Sequence, residues 1–481
     1  MRHTLRRSCA ACARSKHSCD LRTPRCSRCL KRNVQCIYAN EPLNTAPPAF
    51  RQEKNGPVRY LNASGPLTNY RFGSLDPFES YPQTRLSREH VQRLIHSCMT
   101  VLHKIAFQYY PLDLSATSNP FLISWWPLAL GDPALFHVSL QTACLDEERL
   151  AQKGFQTSEM LMADSVALLR RKVEDMSLAV QDGTMNSVIT LATIEFGKGN
   201  IKVAKMHVEG VKRLVKMRDG INSVRQTSPL TARMVSWVSM LIMGHPQFET
   251  QDDAGVGHGI PPIPEWQLPS TADDDCLSEL RSMYIDPEVE NVFKRLRNIF
   301  QRASQTPLST ARLHDLTCFV VHRLLLLAPD TANPSSSPFT ECIRCAIILY
   351  MFIIHGPTYY SHAVILNKIV SQFVENLDKV DLEPRVYDSL IIWLLGIGMV
   401  ASSGTVFYQR FTQKAHAAST SLQLVDSNAA VIRIKGILWL EMPLIEDAFR
   451  SHWGAVLNAT CPTGSIIFRV SVPGIAEDAV S

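Results

Sequence analysis

The sequence predicts a small module organised by six cysteines, followed by a large all-α domain. The six cysteines fall within the first 36 of 481 residues, at a spacing that is repeated. From Ser87 onward, apolar residues recur at three- and four-residue steps, the period of a helix, and strand-like alternation is almost absent. A proline-rich stretch separates the two patterns. The chain therefore divides into two parts of different architecture.

The cysteines of the first part follow the spacing C-x2-C-x6-C-x6-C-x2-C-x6-C. A structural zinc takes four thiolates in a tetrahedron, so two separate ions would need eight ligands. Two sulfurs must therefore bridge, and the repeated spacing makes Cys9 and Cys26, the first of each half, the symmetric choice. A disulfide framework is the alternative, which an expected intracellular context disfavours, because no signal peptide precedes the first cysteine. We predict two structural Zn²⁺ ions with every position filled by a thiolate, held by Cys9, Cys12, Cys19, Cys26, Cys29 and Cys36.

At these residues the chain resembles the fungal binuclear zinc cluster family of transcription factors. It matches the family spacing at every interval and has Pro24 in the connecting loop. The resemblance implies two short helix-strand halves, with the first helix entering the DNA major groove, usually at a CGG triplet. It further implies a nuclear, sequence-specific transcription factor that regulates genes read by RNA polymerase II, with double-stranded DNA as its partner.

The charge of the first part independently favours DNA as the partner. From residue 1 to 36, ten lysines and arginines stand against one acid, Asp20, which gives a net charge of plus nine. The whole chain carries plus five, so residues 37–481 sum to minus four. The excess positive charge thus lies entirely on a module too small for a hydrophobic core. This distribution is typical of a protein that binds the phosphate backbone.

Five residues are predicted to contact DNA. Arg14, Lys16 and His17 lie between the second and third cysteines and can reach base edges or phosphates. Lys16 is the predicted base contact, because lysine and arginine suit the two acceptors that guanine presents in the major groove. Lys31 and Arg32, in the second half, are predicted to contact phosphate and to position the module.

One departure from the family pattern supports an alternative function. Family members usually carry two adjacent basic residues here, whereas this chain has Ser15 followed by Lys16. Ala13 and Ser18 also stand where basic residues are common. The alternative is a zinc-dependent protein-docking module or corepressor without specific DNA readout.

The remaining boundaries follow from composition. Residues 1–8 form a basic arm, 9–36 the cysteine module, 37–86 a proline-rich linker, 87–455 the helical domain and 456–481 a C-terminal tail. No heptad seam follows the cysteines. Dimerisation through a coiled coil is therefore not predicted, and a homodimer formed without one is left open.

Within the second part, Asp132 followed by Pro133 predicts a helix start, since an acid at the N-cap and proline in the first turn both favour it. The part resembles the helical regulatory domain found downstream of many zinc clusters, in the segments WWPLALGDPALFHVSL, IEFGKGNIKVAKMHVEGVKRLVKMRDG and ILWLEMPLIEDAFRSHWG. This implies an all-α regulatory domain. Further helices are predicted over residues 158–176, 184–196, 200–218, 313–328, 342–354, 362–377, 387–401, 406–422 and 429–449.

Residues 221–290 are predicted to be an irregular acidic insertion, because six prolines between residues 229 and 269 interrupt the helical period. Its part from 265 to 290 has eight acids against Arg281 alone, mixed with apolar residues. It is either an insertion loop or a segment that folds on a coactivator or corepressor.

The two most apolar runs, CAIILYMFII and LIIWLLGIGMVA, are ten and twelve residues long, whereas a bilayer span needs roughly twenty. We interpret them as buried helices and predict no membrane anchor. Cys342 and Cys345 are interpreted as core thiols, with a third zinc as the alternative. No hydrolase, zinc-protease or phosphate-loop motif occurs, so the protein is predicted not to be an enzyme and no catalytic residue is assigned.

Overall fold

The structure is a computed structural model of the chain. It describes residues 10–15, 26–34, 36, 81–109, 121–152, 154–269, 284–327, 337–356, 363–380 and 388–458. The chain divides into two compact units, residues 1–80 and 81–481.

The first unit contains two short helices, α1 (Ala10–Arg14) and α2 (Ser27–Lys31), which contact each other. The described part of the second unit is helical throughout, apart from turns, one π-helical and one 3-10 turn, and an isolated bridge between Thr250 and Ile260. The all-α prediction is therefore confirmed. Its helices are α3 (Arg88–Tyr109), α4 (Trp126–Gly131), α5 (Pro133–Ala151), α6 (Gln156–Glu174), α7 (Met176–Ala179), α8 (Asp182–Gly197), α9 (Ile201–Met217), α10 (Ile221–Thr227), α11 (Pro229–Met243), α12 (Pro287–Ala303), α13 (Thr310–Leu326), α14 (Pro338–His355), α15 (Ala363–Leu377), α16 (Asp388–Ala401), α17 (Tyr408–Ser421), α18 (Ser427–Ile437) and α19 (Pro443–Asn458).

The start of α5 confirms the sequence signal at Asp132. The Asp132 carboxylate accepts hydrogen bonds from the backbone N–H groups of Ala134 at 3.0 Å and Leu135 at 3.2 Å. These N–H groups have no partner within the helix, so the cap satisfies them. Pro133 occupies the first turn, where its missing N–H has no cost.

The apolar helix α14 lies in the core of the second unit. It is longer than the predicted apolar run, and its 18 residues are apolar enough to cross a membrane by length and composition. However, 89% of those residues are buried inside the protein, and Arg344 pairs there with Glu341 at 2.6 Å. A core helix passes the same test of composition, so one such helix is weak support for a membrane span.

The predicted irregular segment 221–290 is wrong over its first third. Residues 221–243 form α10 and α11, and Pro229 lies in the first turn of α11 instead of breaking a helix. The non-helical stretch that follows is held by the Asp253 carboxylate. This carboxylate accepts hydrogen bonds from Trp266 at 2.8 Å, Asn291 at 2.6 Å and Arg323 at 2.8 Å, which joins the stretch to α12 and α13.

The predicted helix over 429–449 is also wrong, because the structure has two helices there, α18 and α19. An extended connection separates them, and the backbone N–H of Leu440 in this connection donates to the buried Tyr350 hydroxyl at 2.8 Å. Pro443 then begins α19. The hydrogen bond across the core replaces the helical bond that the connection lacks.

A buried carboxylate joins three helices of the second unit. Asp315 of α13 accepts two hydrogen bonds from Arg225 of α10, at 3.1 and 2.9 Å, and two from Arg233 of α11, at 2.7 and 2.8 Å. Its side chain is 2% exposed. Burial alone would raise the pKa of Asp315, but the hydrogen bonds and charges of the two arginines outweigh burial and hold the pKa below its usual value.

Close packing of α16 against α17 gives a first prediction. A Cβ atom at Gly398 would lie 2.2 Å from ring carbons of Phe411, which is 1% exposed. Alanine normally stabilises a helix interior by about 1 kcal/mol relative to glycine, but here the overlap should dominate. We expect Gly398→Ala to lower the free energy of unfolding by about 1–3 kcal/mol, measured by urea denaturation.

The matched control is Gly454→Ala in α19, where a Cβ atom would have no neighbour within 4 Å. This substitution should raise the free energy of unfolding by about 0.5–1 kcal/mol. Equal stabilisation by both substitutions would contradict the packing of α16 on α17.

Candidate zinc centre and DNA-binding surface

The two short helices of the first unit bring cysteines together. Cys12 lies in α1, Cys26 is the N-cap of α2, and Cys29 lies one turn into α2. Their three sulfur atoms all lie within 4.8 Å of one another. Cys12, Cys26, Cys29 and Cys36 are all buried, and the partly buried Ala11 packs against them. The core of the described module thus consists of its candidate metal ligands.

The sulfur spacing fits zinc. The Sγ atoms of Cys12 and Cys26 are 3.6 Å apart. Two thiolates on one tetrahedral zinc, with zinc–sulfur bonds of about 2.3 Å, lie about 3.8 Å apart. A disulfide needs about 2.05 Å, so this pair is arranged as two ligands of one ion. When bound, the metal would supply cross-links and no reaction.

Cys26 is central to this group. Its Sγ accepts a hydrogen bond from the backbone N–H of Cys29 at 3.4 Å, and its own N–H donates to the Sγ of Cys36 at 3.4 Å. Such N–H donors stabilise thiolates. Cys26 therefore contacts a cysteine of the first half through its sulfur, and two cysteines of the second half through its sulfur and its backbone N–H.

A tight turn after α2 returns the chain toward the cluster. Asn33 adopts a left-handed conformation with φ of 48°, which asparagine tolerates better than most residues. The backbone N–H of Val34 then donates to the carbonyl of Cys29 at 3.2 Å. This closes the C-terminus of α2, after which Cys36 joins the buried sulfurs.

The surface of the described module is basic. Arg14 is exposed at the end of α1, Lys31 is exposed at the end of α2, and Arg32 is the exposed C-cap of α2. Arg28 is exposed as well, and sequence reasoning did not select it. Its distance of three residues from Lys31 and four from Arg32 places all three on neighbouring positions of one helix face, a signal that was available.

Four of the predicted site residues lie outside the described residues. They are Cys9, Cys19, Lys16 and His17. The structure therefore brings together four of the six predicted ligands and displays three of the five predicted DNA contacts.

Within the described ranges, the cluster of three cysteines is the one group of three or more potential metal ligands whose donor atoms lie so close together. Cys342 and Cys345 are both fully buried in α14, and burial raises the pKa of the Cys345 thiol to about 12. Burial likewise raises the pKa of Cys342. A protonated thiol is a poor metal ligand, so their environment is that of core thiols.

Two family models match the chain. Residues 7–45 match the fungal Zn(2)-Cys(6) binuclear cluster domain, and residues 89–244 match the fungal specific transcription factor domain. No curated protein and no solved structure matches the chain significantly. Together the two matches confirm both resemblances that the sequence carries.

The matched domains define a protein of transcription regulation that binds zinc and DNA through its N-terminal module. Both families are domains of fungal transcription factors, which are not enzymes. The chain therefore carries a fungal Zn(2)-Cys(6) binuclear cluster domain, followed by a fungal specific transcription factor domain within an all-α unit.

Proposed function

We propose that the protein is a sequence-specific transcription factor that controls RNA polymerase II genes in the nucleus. Its cysteine module reads a CGG-like triplet in the major groove, and its helical unit regulates that activity. The observation that carries this proposal is the cluster of buried sulfurs beneath a surface with four exposed cations. A module without an apolar core needs the metal to hold those cations in place on DNA.

The proposed centre holds two structural zinc ions on the six cysteines of the module, with Cys9 and Cys26 as the bridges. The contacts of Cys26 with both halves support its role as a bridge. We also propose that the chain divides into arm, module, linker, helical domain and tail, with boundaries at residues 8, 36, 86 and 455. The proposed protein partners are a coactivator or corepressor, and a second copy of the chain in a homodimer without a coiled coil.

A pair of substitutions tests the division between base and phosphate contacts. In selection of random duplexes by the full chain with zinc, the parent should enrich CGG-like triplets. Lys16→Ala should relax that preference and cost about 1–3 kcal/mol on the preferred site, since a contact with guanine specifies sequence. Lys31→Ala should weaken binding to all sequences alike and reduce the slope of log affinity against log salt by about one.

The selection also separates dimer from monomer and reader from docking module. Two enriched triplets at a fixed separation would show a dimeric reader, and one triplet a monomeric reader. No enrichment by the parent, together with Lys16→Ala binding DNA as the parent does, would reject sequence readout in favour of a protein-docking module.

A further inference from the structure

Helix α9 carries a concentration of positive charge that the DNA-binding module does not explain. Its 17 residues contain five lysines and arginines against one acid, although residues 37–481 have a net charge of minus four. Its opposite face is apolar and packs against α8 and α11. The cations therefore lie on the face that the second unit leaves exposed.

The exposed face has two parallel rows. The first row is basic and is spaced at alternate steps of three and four residues, so that its members follow one stripe of the helix. Among the lysines of this row, Lys212 alone forms an ion pair with a described residue, Glu209, at 3.1 Å. The members of the basic row are Lys202, Lys205, Glu209, Lys212 and Lys216.

The second row lies one residue further along the chain and repeats the same spacing. It exposes three large apolar side chains, Val203 at 38%, Met206 at 61% and Met217 at 39%. Gly210 lies between the two methionines, and a Cβ atom at this position would lie 3.8 Å from Val188 of α8. Arg213 completes the row. We refer to Val203, Met206, Gly210, Arg213 and Met217 as the methionine row.

The spacing of the methionine row is that of a helix–helix seam, in which apolar residues recur at steps of three and four. Methionine suits such a surface because its flexible, polarisable side chain adapts to different partners. A helix that buries its own apolar face on this row would place one flank beside the basic row. Charge complementarity then requires that flank to be acidic.

The methionine row favours a protein helix over a nucleic acid as the partner that binds this face. Phosphate groups would use the cations alone and would leave Met206 and Met217 in water. An acidic amphipathic helix uses both rows, since it covers the apolar side chains and neutralises the lysines.

We propose that the exposed face of α9 is a docking surface for an acidic amphipathic helix of a partner protein. The partner presents apolar residues at steps of three and four to the methionine row and carboxylates to the basic row. This inference goes beyond the proposed function and does not depend on DNA readout, because the surface lies in the second unit.

The test uses the full chain and a fluorescent 18-residue helical peptide with leucines at steps of three and four and glutamates along one flank. Anisotropy should show saturable binding that weakens with salt. Lys205→Glu combined with Lys212→Glu should raise the Kd at least about tenfold, because two attractive pairs become repulsive. Met206→Ser should raise the Kd about fivefold through lost apolar contact.

Matched controls keep the test specific. Lys368→Glu combined with Lys379→Glu makes the same change of charge at two other exposed lysines, the first in α15 and the second just after it. This pair should leave the Kd unchanged. Met176→Ser removes a methionine that is 68% exposed at the start of α7 and should also have no effect. Circular dichroism and thermal unfolding identify any variant that fails to fold, and Lys202→Glu with Lys216→Glu then replaces the first pair.

Four results would overturn the inference. The first is that the parent chain does not bind the peptide, and the second is that the control pair of lysine substitutions raises the Kd as much as the test pair does. The third is that a scrambled peptide of the same charge binds with equal affinity. The fourth is that the Lys205/Lys212 variant loses affinity for random-sequence DNA while its peptide affinity is unchanged. The last result would make the face a phosphate-binding surface. Cys26→Ser should bind the peptide as the parent does, which separates this test from the test of DNA readout.

Discussion

Cys26→Ser is expected to abolish DNA binding by the full chain and to lower its zinc content, while the helical unit stays folded. Cys26 is fully buried, lies 3.6 Å from Cys12 and accepts a hydrogen bond from Cys29. A neutral hydroxyl is a poor substitute for a thiolate ligand. Structural zinc contributes an apparent ~10–16 kcal/mol in zinc-finger peptides, so loss of a candidate ligand should unfold the module.

The measurements are zinc content by atomic absorption and DNA affinity by titration at one fixed salt concentration. Chelation of the parent protein should give the same loss of DNA affinity, reversed by added zinc. Cys345→Ser is the matched control, since it places a hydroxyl on a buried cysteine of α14. It should destabilise the helical unit by about 1–3 kcal/mol without changing the zinc content. DNA affinity that survives complete removal of metal would rule out the zinc cluster as the structural basis of DNA binding.

Asp315→Ala is expected to destabilise the helical unit by about 3–5 kcal/mol, because it leaves two arginines partly buried without their shared carboxylate. The side chains of Arg225 and Arg233 are 20% and 16% exposed, so water compensates them only in part. The shift of the urea midpoint at neutral pH measures the effect. Loss of less than about 1 kcal/mol would show that the network does not hold α10, α11 and α13 together.

Asp378→Ala provides the comparison. Asp378 also meets two cations, Arg410 at 2.6 Å and Lys414 at 2.9 Å, but its side chain is 34% exposed. Exposed pairs contribute little, so this substitution should cost less than about 1 kcal/mol. The contrast between the two aspartates isolates the effect of burial.

The pH dependence of Asp315 has a definite sign. The folded-state pKa lies below the unfolded value of about 3.9, so the carboxylate stabilises the fold at neutral pH. That contribution declines as the pH falls below the unfolded pKa and through the folded pKa. Parent and Asp315→Ala should therefore differ most near neutral pH and converge in acid.

Local signals in the sequence predicted much of the fold. The N-cap at Asp132 identified a helix start because its partners are two and three residues away. The cysteine spacing similarly predicted a cluster, and the structure brings Cys12, Cys26, Cys29 and Cys36 together. By contrast, the break between α18 and α19 depends on a hydrogen bond to Tyr350, 90 positions away from Leu440. Contacts of that separation leave no periodic signal in the chain.

The segment after Gly244 shows the same limit. Its prolines and acids predicted that the helical pattern would be interrupted, and residues 244–263 are indeed non-helical. No pattern in the neighbouring residues indicated that the Asp253 carboxylate would accept hydrogen bonds from three side chains. Pro229 led to a wrong prediction because proline disrupts a helix when it lies in the interior but is favourable in the first turn. The sequence alone does not distinguish these two positions.

The cysteine core of the module has a consequence for how the protein responds to its surroundings. Because its buried residues are candidate ligands, each zinc ion that binds only the folded module adds about 1.4 kcal/mol of stability for every tenfold rise in free zinc above the Kd. In the described part of residues 81–481, the core is apolar, so its stability does not depend on free zinc in this way. The chemical potential of zinc thus sets the fraction of molecules competent to bind DNA, while temperature and denaturant govern the helical unit.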